Sequence, residues 1–92
     1  MPKRVVFSVH ALERMFERGI GVSEVVDILD TGETIGWYER DHPYASRLVL
    51  GWSGGRPLHI VAADVPKDQI TIVITVYQPD ANLWTPDFRS RR

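Results

Sequence analysis

The chain contains no cysteine among its 92 residues. This absence excludes a disulfide-bonded scaffold and a metal site built from thiolates. Apolar runs of membrane-spanning length are also missing, and Val5–Phe7 is far too short for the hydrophobic region of a signal peptide. We therefore expect a cytoplasmic protein that folds around one apolar core, as a single domain of residues 1–92.

The chain also lacks the overall basicity that is typical of nucleic-acid-binding domains, because its formal net charge is −1. The charge is unevenly distributed along the sequence. Residues 1–20 carry a net +2, residues 21–41 a net −5 and residues 42–92 a net +2. A local polyanion site on the basic segments is therefore compatible with the composition, although the composition does not require one.

A short amphipathic helix is predicted between Ser8 and Ile20. Ser8 is placed to cap its N-terminus, and Gly19 is placed to end it in the left-handed conformation. A helical wheel separates an apolar side from a polar side. The apolar side consists of Ala11, Leu12, Met15 and Phe16. The polar side consists of His10, Glu13, Arg14 and Glu17, with Arg18 at its border.

The polar side of this helix carries groups that suit phosphate chemistry. Arg14 and Arg18 are four residues apart, a like-charge spacing that costs roughly 0.2–0.5 kcal/mol. His10 lies in the first turn, where the helix dipole disfavours an imidazolium and favours a bound anion. A neutral imidazole beside guanidinium groups is a combination that phosphodiester cleavage would use. The alternative interpretation is an ordinary solvated helix face.

The rest of the sequence predicts an α+β domain of two layers. Ser23 is placed to cap a second helix over residues 24–30, and from residue 33 the apolar period changes to two, which is typical of strands. Four antiparallel strands are expected at residues 34–40, 46–52, 58–63 and 69–77. The expected organisation is an arm at 1–4, a short strand, a helical hairpin at 8–32, a curved antiparallel meander at 33–79 and an apolar tail at 80–92 that drapes over the core.

The alternation of side chains predicts a second polar cluster, on the sheet. On the last strand the aliphatic set is expected to meet the helices; it comprises Ile70, Ile72, Ile74 and Val76. The opposite and partly open face then receives His59, Thr75 and Tyr77, with Arg56 beside them at the Gly54-Gly55 hairpin. Such a cluster resembles a shallow acid–base site. The alternative is a half-buried histidine beside a packing tyrosine.

No cofactor or metal site is expected. The histidines come from three distant segments and lack the spacing of metal ligands. The paired glycines precede a strand rather than a helix, so they do not form a phosphate-binding loop.

Three blocks of sequence resemble the bacterial family known as domain of unknown function 4258, over about Phe7 to Trp84. They are His10-Ala-x-x-Arg14-Met-x-x-Arg18-Gly-Ile20, Pro57-Leu58-His59-Ile-Val61 and Thr75-Val-Tyr77-x-Pro79. The resemblance implies a fold similar to that of RelE-type and barnase–colicin ribonucleases. It also implies a toxin that is encoded beside a small antitoxin, possibly of zinc-finger type. Its matching site positions are His10, Arg14, Arg18, His59 and Tyr77.

We therefore expect a metal-independent endoribonuclease of the mRNA interferase type, acting on free or ribosome-bound RNA as a monomer or homodimer. His10 serves as base or acid, and His59 or Tyr77 is its complement. Arg14 holds the phosphate, with help from Arg18 or Arg56, and Thr75 lies in the substrate-binding region. This assignment requires His10 to reach His59 around an edge of the sheet. The alternatives are a non-catalytic protein-interaction module and, with less support, an enzyme acting on a small phosphorylated metabolite.

Overall fold

The computed structural model describes residues 4–92 and arranges them as strands, two helices and a C-terminal tail. Of the predicted arm at 1–4, residues 1–3 lie outside the described residues. The elements, in chain order, are β1 (Arg4–Phe7), α1 (Val9–Arg18), α2 (Val22–Thr31), β2 (Glu33–Tyr38), β3 (Ser46–Ser53), β4 (Arg56–Val65), a single 3-10 turn (Pro66–Asp68) and β5 (Ile70–Tyr77).

Both helices begin and end where their capping chemistry allows. Ser8 caps α1 by accepting a hydrogen bond from the amide of Ala11 at 2.9 Å, and Gly19 ends it with φ 65°, as the sequence predicted. The predicted cap of α2 at Ser23 is wrong, because Gly21 occupies the extended N-cap position. The carboxylate of Glu24 reaches back to accept the Gly21 amide at 2.6 Å, so the first turn needs no serine cap.

The sheet has five strands in the order β1-β5-β4-β3-β2 and is open. Strand β1 pairs in parallel with β5, and the remaining neighbours are antiparallel. The predicted α+β class is therefore confirmed. The expected sheet of about four antiparallel strands is corrected to a mixed sheet of five, because the short first strand joins the meander at its β5 edge.

The apolar core lies between the two helices and one face of this sheet. Helix α1 packs over β5, and α2 packs over β3. The core residues are Ala11, Met15, Ile20, Val25, Ile28, Val49, Leu58, Ile60, Ala62, Val73 and Val76. Burial of each larger side chain contributes about 1.5–3 kcal/mol, so this layer supplies most of the folding free energy.

A bulge in β5 changes which of its side chains meet the helices. Val61 pairs with Thr75, but the next residue of β4 pairs with Val73, which leaves Ile74 as the extra residue. Val73 and Val76 consequently both join the core. The prediction that Ile72 and Ile74 meet the helices is wrong, because they line a groove on the opposite face. Simple alternation fails at the bulge.

The sheet face away from the helices, called the far face here, is covered over His59 by the C-terminal tail. Trp84 of the tail is 9% exposed, and Phe88 packs edge-on against Trp52 of β3 with ring centroids 5.8 Å apart. The apolar tail therefore drapes over the sheet, as predicted. The expectation of a partly open face is wrong at His59, which is 0% exposed.

None of the helices in residues 4–92 is long and apolar enough to span a membrane.

Candidate functional site

The polar flank of α1, meaning His10, Arg14 and Arg18, lies along the free edge of β5. Arg18 donates a hydrogen bond from Nη1 to the carbonyl oxygen of Val76 at 3.1 Å. At the other end of the helix, the Ser8 hydroxyl donates to the carbonyl oxygen of Ile74 at 3.0 Å. These two bonds satisfy edge carbonyls that β1 is too short to reach, and they fix the flank beside the C-terminal half of β5.

Among residues 4–92, His10 and Arg14 are the members of this flank that form no hydrogen bond to the sheet. His10 is exposed, and Arg14 donates to Glu17 one turn along the helix at 2.9 Å. The side chains of that ion pair are 42% and 56% exposed. An exposed pair of this kind is worth about 0.2–0.5 kcal/mol, so an incoming phosphate can replace the carboxylate at little cost.

Arg56 is engaged in a structural clamp between the two helices and the β3–β4 hairpin. Its guanidinium donates to the carbonyl oxygens of Arg18 and Gly19, each at 3.3 Å, and to Glu24 Oε1 at 3.3 Å. The Ser53 hydroxyl donates to the same carboxylate oxygen at 2.5 Å. The clamp therefore uses Arg56 to join the end of α1 to the start of α2.

The environment of Glu24 favours its ionised form. The Gly21 amide is the main cause that lowers the pKa of this carboxyl, followed by the Ser53 hydroxyl. Partial burial opposes these hydrogen bonds, and Arg56 adds to them. Sequence inspection missed Glu24 as the shared partner of Arg56 and Ser53, because each of these contacts joins residues about thirty positions apart in the chain.

His59 is enclosed on the far face with both ring nitrogens engaged. Nε2 lies 2.9 Å from the carbonyl oxygen of Phe88, and Nδ1 lies 3.2 Å from the hydroxyl of Tyr77. A carbonyl oxygen only accepts, so Nε2 carries the proton and the neutral ring accepts from Tyr77 at Nδ1. The Trp84 ring stands edge-on at 4.4 Å between centroids and closes the cavity.

Burial keeps this pair neutral. Desolvation lowers the pKa of His59, and the bond to Phe88 only partly opposes that effect. Desolvation also raises the pKa of Tyr77; the neighbouring Tyr38 acts in the same direction and Arg91 acts against it. Both groups consequently remain uncharged near neutral pH, with a phenol that keeps its proton.

The structure separates the predicted site residues into three places. His10, Arg14 and Arg18 share the polar flank of α1, whereas Arg56 belongs to the clamp at the hairpin. The far face holds His59 and Tyr77 as a bonded pair, and Thr75 lies on the same face beside Val61. His10 and His59 therefore belong to opposite sides of the sheet, since α1 packs against the face that His59 does not share.

Tyr77 belongs to the far-face pair and is also close in the chain to the part of β5 that binds the polar flank of α1. It is half-buried on the far face, and it directly follows Val76, whose carbonyl oxygen holds Arg18. The end of β5 is thus the point where the polar flank of α1 approaches the His59–Tyr77 pair. Any route between the two predicted clusters passes around this strand end.

A further polar row, which the sequence interpretation missed, crosses four strands on the helix side of the sheet. Arg47 donates to Asp64 at 2.8 Å and to the Thr34 hydroxyl at 3.2 Å, and the Thr71 hydroxyl donates to Asp64 at 2.8 Å. Every side chain of this row has a hydrogen-bond partner, so we interpret the row as a structural link between the strands. Within residues 4–92 no group of three or more histidine, aspartate or glutamate side chains is arranged to hold a metal ion.

Comparison with known proteins identifies a family but no characterised relative. The family described as "Domain of unknown function (DUF4258)" matches residues 7–78. Neither a curated protein nor a solved structure matches the chain. The match ends just after β5, so the tail at 80–92 lies beyond it while α1, His59 and Tyr77 lie inside it. Because the matched segment spans most of the sequence, the chain belongs to the family of domains of unknown function DUF4258.

Proposed function

We propose that this protein is an endoribonuclease toxin of a toxin–antitoxin pair that binds RNA along the polar flank of α1. The observation that carries the proposal is the placement of His10, Arg14 and Arg18 on one solvent-facing flank beside the free edge of β5. Two guanidiniums and an imidazole on one flank offer charge and a proton acceptor to a phosphodiester. The family resemblance given above implies a fold similar to that of RelE-type and barnase–colicin ribonucleases, and a fold of that kind would suit the same reaction.

The proposed reaction is transfer of the phosphoryl group to the neighbouring 2′-oxygen. His10 accepts the proton of the ribose 2′-hydroxyl, whose oxygen then attacks phosphorus. Arg14 and Arg18 stabilise the charge on the phosphorane-like transition state. The bond from phosphorus to the 5′-oxygen breaks, and Tyr77 donates a proton to that oxygen. The products are a 2′,3′-cyclic phosphate and a free 5′-hydroxyl.

In this scheme His59 is a positioning residue. Before reaction its Nδ1 accepts from the phenol of Tyr77 while Phe88 holds the other side of the ring, and in the proposed step the Tyr77 O–H turns from Nδ1 to the leaving 5′-oxygen. The enclosed imidazole has no access to solvent, so Tyr77 takes the role that the sequence left open between these two residues. Arg56 and Thr75 are left out of the proposed contacts, since Arg56 is used by the clamp and Thr75 lies on the far face two residues further than Tyr77 from the end of β5.

The proposed setting is the bacterial cytoplasm, where the substrate is free or ribosome-bound RNA. We propose a small cognate zinc-finger antitoxin as the protein partner, because the family resemblance implies a toxin that is encoded beside one. The toxin is proposed to act as a monomer or homodimer and without a cofactor.

The test is cleavage of a synthetic RNA by the purified protein, alone and in a translating extract, with 5′ ends mapped. We expect His10→Ala and Arg14→Ala to lose at least about a hundredfold in rate. His42→Ala and Arg40→Ala are matched controls, because both side chains are exposed in the loop after β2. Equal activity of all four variants, or no cleavage by the wild type in either assay, would contradict the proposal.

A second candidate is a non-catalytic protein-interaction module. The observation that favours it is Phe16, which is 89% exposed on α1. Under this alternative, growth effects and partner binding persist in the His10→Ala and Arg14→Ala variants, and no new RNA ends form.

A further inference from the structure

Helix α1 exposes an apolar stripe on the flank opposite to its polar one. Val9 is 73% exposed, Leu12 45% and Phe16 89%. Their spacing of three and four residues places them in one row along the helix. An isolated exposed valine needs no explanation, but a continuous row ending in a fully presented phenylalanine indicates a binding surface.

Helix α2 presents a matching row. Val22 is 50% exposed and Val26 is 38% exposed, and they lie one turn apart. The clamp brings the C-terminus of α1 and the N-terminus of α2 to the β3–β4 hairpin, and α2 then runs away from that hairpin. The helices are therefore roughly antiparallel on one face of the sheet.

The two apolar rows face each other across the space between the helices. Arg18 reaches the free edge of β5, so the flank of α1 that carries Leu12 and Phe16 points toward α2. On each helix, viewed from its N-terminus, the apolar row lies to the same side of the buried face. Because the two helices are antiparallel on one face of the sheet, the Val22 and Val26 row therefore points toward α1. We call the resulting channel the interhelical groove.

The groove is held in shape by the clamp already described. Arg56 bonds the last carbonyls of α1 and the carboxylate at the first turn of α2, so both walls are fixed at the hairpin end. A preformed groove spares a ligand the entropy of ordering its walls.

The outer rim of the groove is acidic. Glu13 follows the apolar row around α1, and Asp27 and Asp30 follow the row of α2. Among residues 4–92, Glu13, Asp27 and Asp30 form no ion pair, and α2 contains no basic residue. These carboxylates favour a ligand with positive charge beside its apolar contacts.

We propose that the interhelical groove binds an amphipathic helix of a partner protein, with an apolar stripe seated between α1 and α2 and lysine or arginine along the rim. Helix-in-groove recognition uses anchors at this spacing. A second copy of the chain would bring one acidic rim against another, and anionic lipid would be repelled by the same carboxylates. The proposal uses the flank of α1 opposite to the RNA-binding one, so it stands apart from the proposed reaction.

The probe is a designed amphipathic peptide of roughly 18 residues, about five helical turns, with a leucine stripe and a lysine polar face. Its twin carries glutamate in place of lysine. Fluorescence anisotropy measures binding to the full chain. We expect the lysine peptide to bind at least about tenfold more tightly than the glutamate twin. Phe16→Ser should weaken it by about tenfold or more, since exposed aromatic anchors dominate such contacts.

Two further variants sharpen the test. Trp37→Ser is the matched control, because Trp37 is 61% exposed on β2, toward the end of the sheet away from the hairpin, and should leave binding unchanged. Asp27→Lys combined with Asp30→Lys should shift the preference toward the glutamate twin. Each of these positions is exposed, and circular dichroism checks that every variant is folded.

The proposal is overturned if the two peptides bind equally or if Phe16→Ser has no effect. It is also overturned if the chain self-associates in the absence of peptide and Phe16→Ser abolishes that association, which would make the groove a homodimer contact. Binding to phosphatidylserine vesicles that Phe16→Ser abolishes would assign the groove to a membrane surface instead.

Discussion

The two histidines of the predicted site, His10 and His59, occupy opposite kinds of environment. His10 lies in the first turn of α1 in contact with solvent, whereas His59 is 0% exposed under the tail with both nitrogens bonded. A ligand can reach the first without any change in the fold, and it can reach the second only if the tail moves. The same type of side chain is therefore open to a ligand in one place and part of the internal structure in the other.

The difference follows from what surrounds each ring. His59 lies between the hydroxyl of Tyr77 and the carbonyl oxygen of Phe88, and burial lowers its pKa and so favours the neutral ring. His10 stands on a helix that is already capped by Ser8, so the fold makes no demand on its ring. Experiments should therefore test whether His59 is a structural histidine and His10 an available one.

The largest difference in the free energy of unfolding is expected when each of the two histidines is replaced by alanine, one at a time. His59→Ala should lower the free energy of unfolding by about 3–4 kcal/mol, because it leaves a cavity and two unsatisfied polar partners. His10→Ala should change it by less than about 0.5 kcal/mol. Urea unfolding followed by circular dichroism measures both. Similar losses in the two variants would show that the rings are not in different environments.

A smaller change in the free energy of unfolding is expected when the pH is lowered. The pKa of His59 is lowered in the folded protein from an ordinary value of 6.5, so below pH 6.5 the unfolded chain binds the extra proton. The free energy of unfolding should therefore fall as the pH drops below 6.5, by at most about 1.4 kcal/mol per pH unit. Well above pH 6.5 the ring is neutral in both states and contributes no slope.

The other titratable groups near His59 set the pH range in which this experiment reports on His59. Tyr77 stays protonated there, because burial raises its pKa from the ordinary value of 10.0. The carboxyls of Glu24 and Asp87 have pKa values lowered from 4.5 and 3.8, so they titrate below this range. His59→Gln should abolish the slope between pH 7 and 5.5, and His10→Ala should retain it. A slope that survives His59→Gln would assign the titration to another group.

Local signals in the sequence were sufficient for α1 and for the hairpin that follows β3. Ser8 and Gly19 bound the first helix because capping depends on residues within one turn. The turn at Gly54-Gly55 formed as predicted for the same reason. The polar flank of α1 was also visible, since helical spacing alone brings His10 and Arg14 together.

The features that sequence reasoning missed depend on long-range contacts. The bulge at Ile74 reverses the facing of β5, and no residue there signals it. The enclosure of His59 needs Trp84 and Phe88, which lie more than twenty residues further along the chain. The apolar character of the tail was a usable signal. The sequence did not indicate that the tail packs on the far face, because either face of the sheet was available to be covered.

The most direct test of the central claim is nuclear magnetic resonance of the full chain with a short RNA analogue whose 2′-hydroxyls are replaced by hydrogen. If RNA binds along α1, the ring signals of His10 and the guanidinium signals of Arg14 and Arg18 should shift on titration. The indole signal of Trp84 should stay in place, and the ring signals of His59 should shift less than those of His10, because His59 meets the ligand only through Tyr77. Shifts at Trp84 and His59 with none at His10 would show that the ligand enters under the tail, and would contradict the assignment of the site to α1.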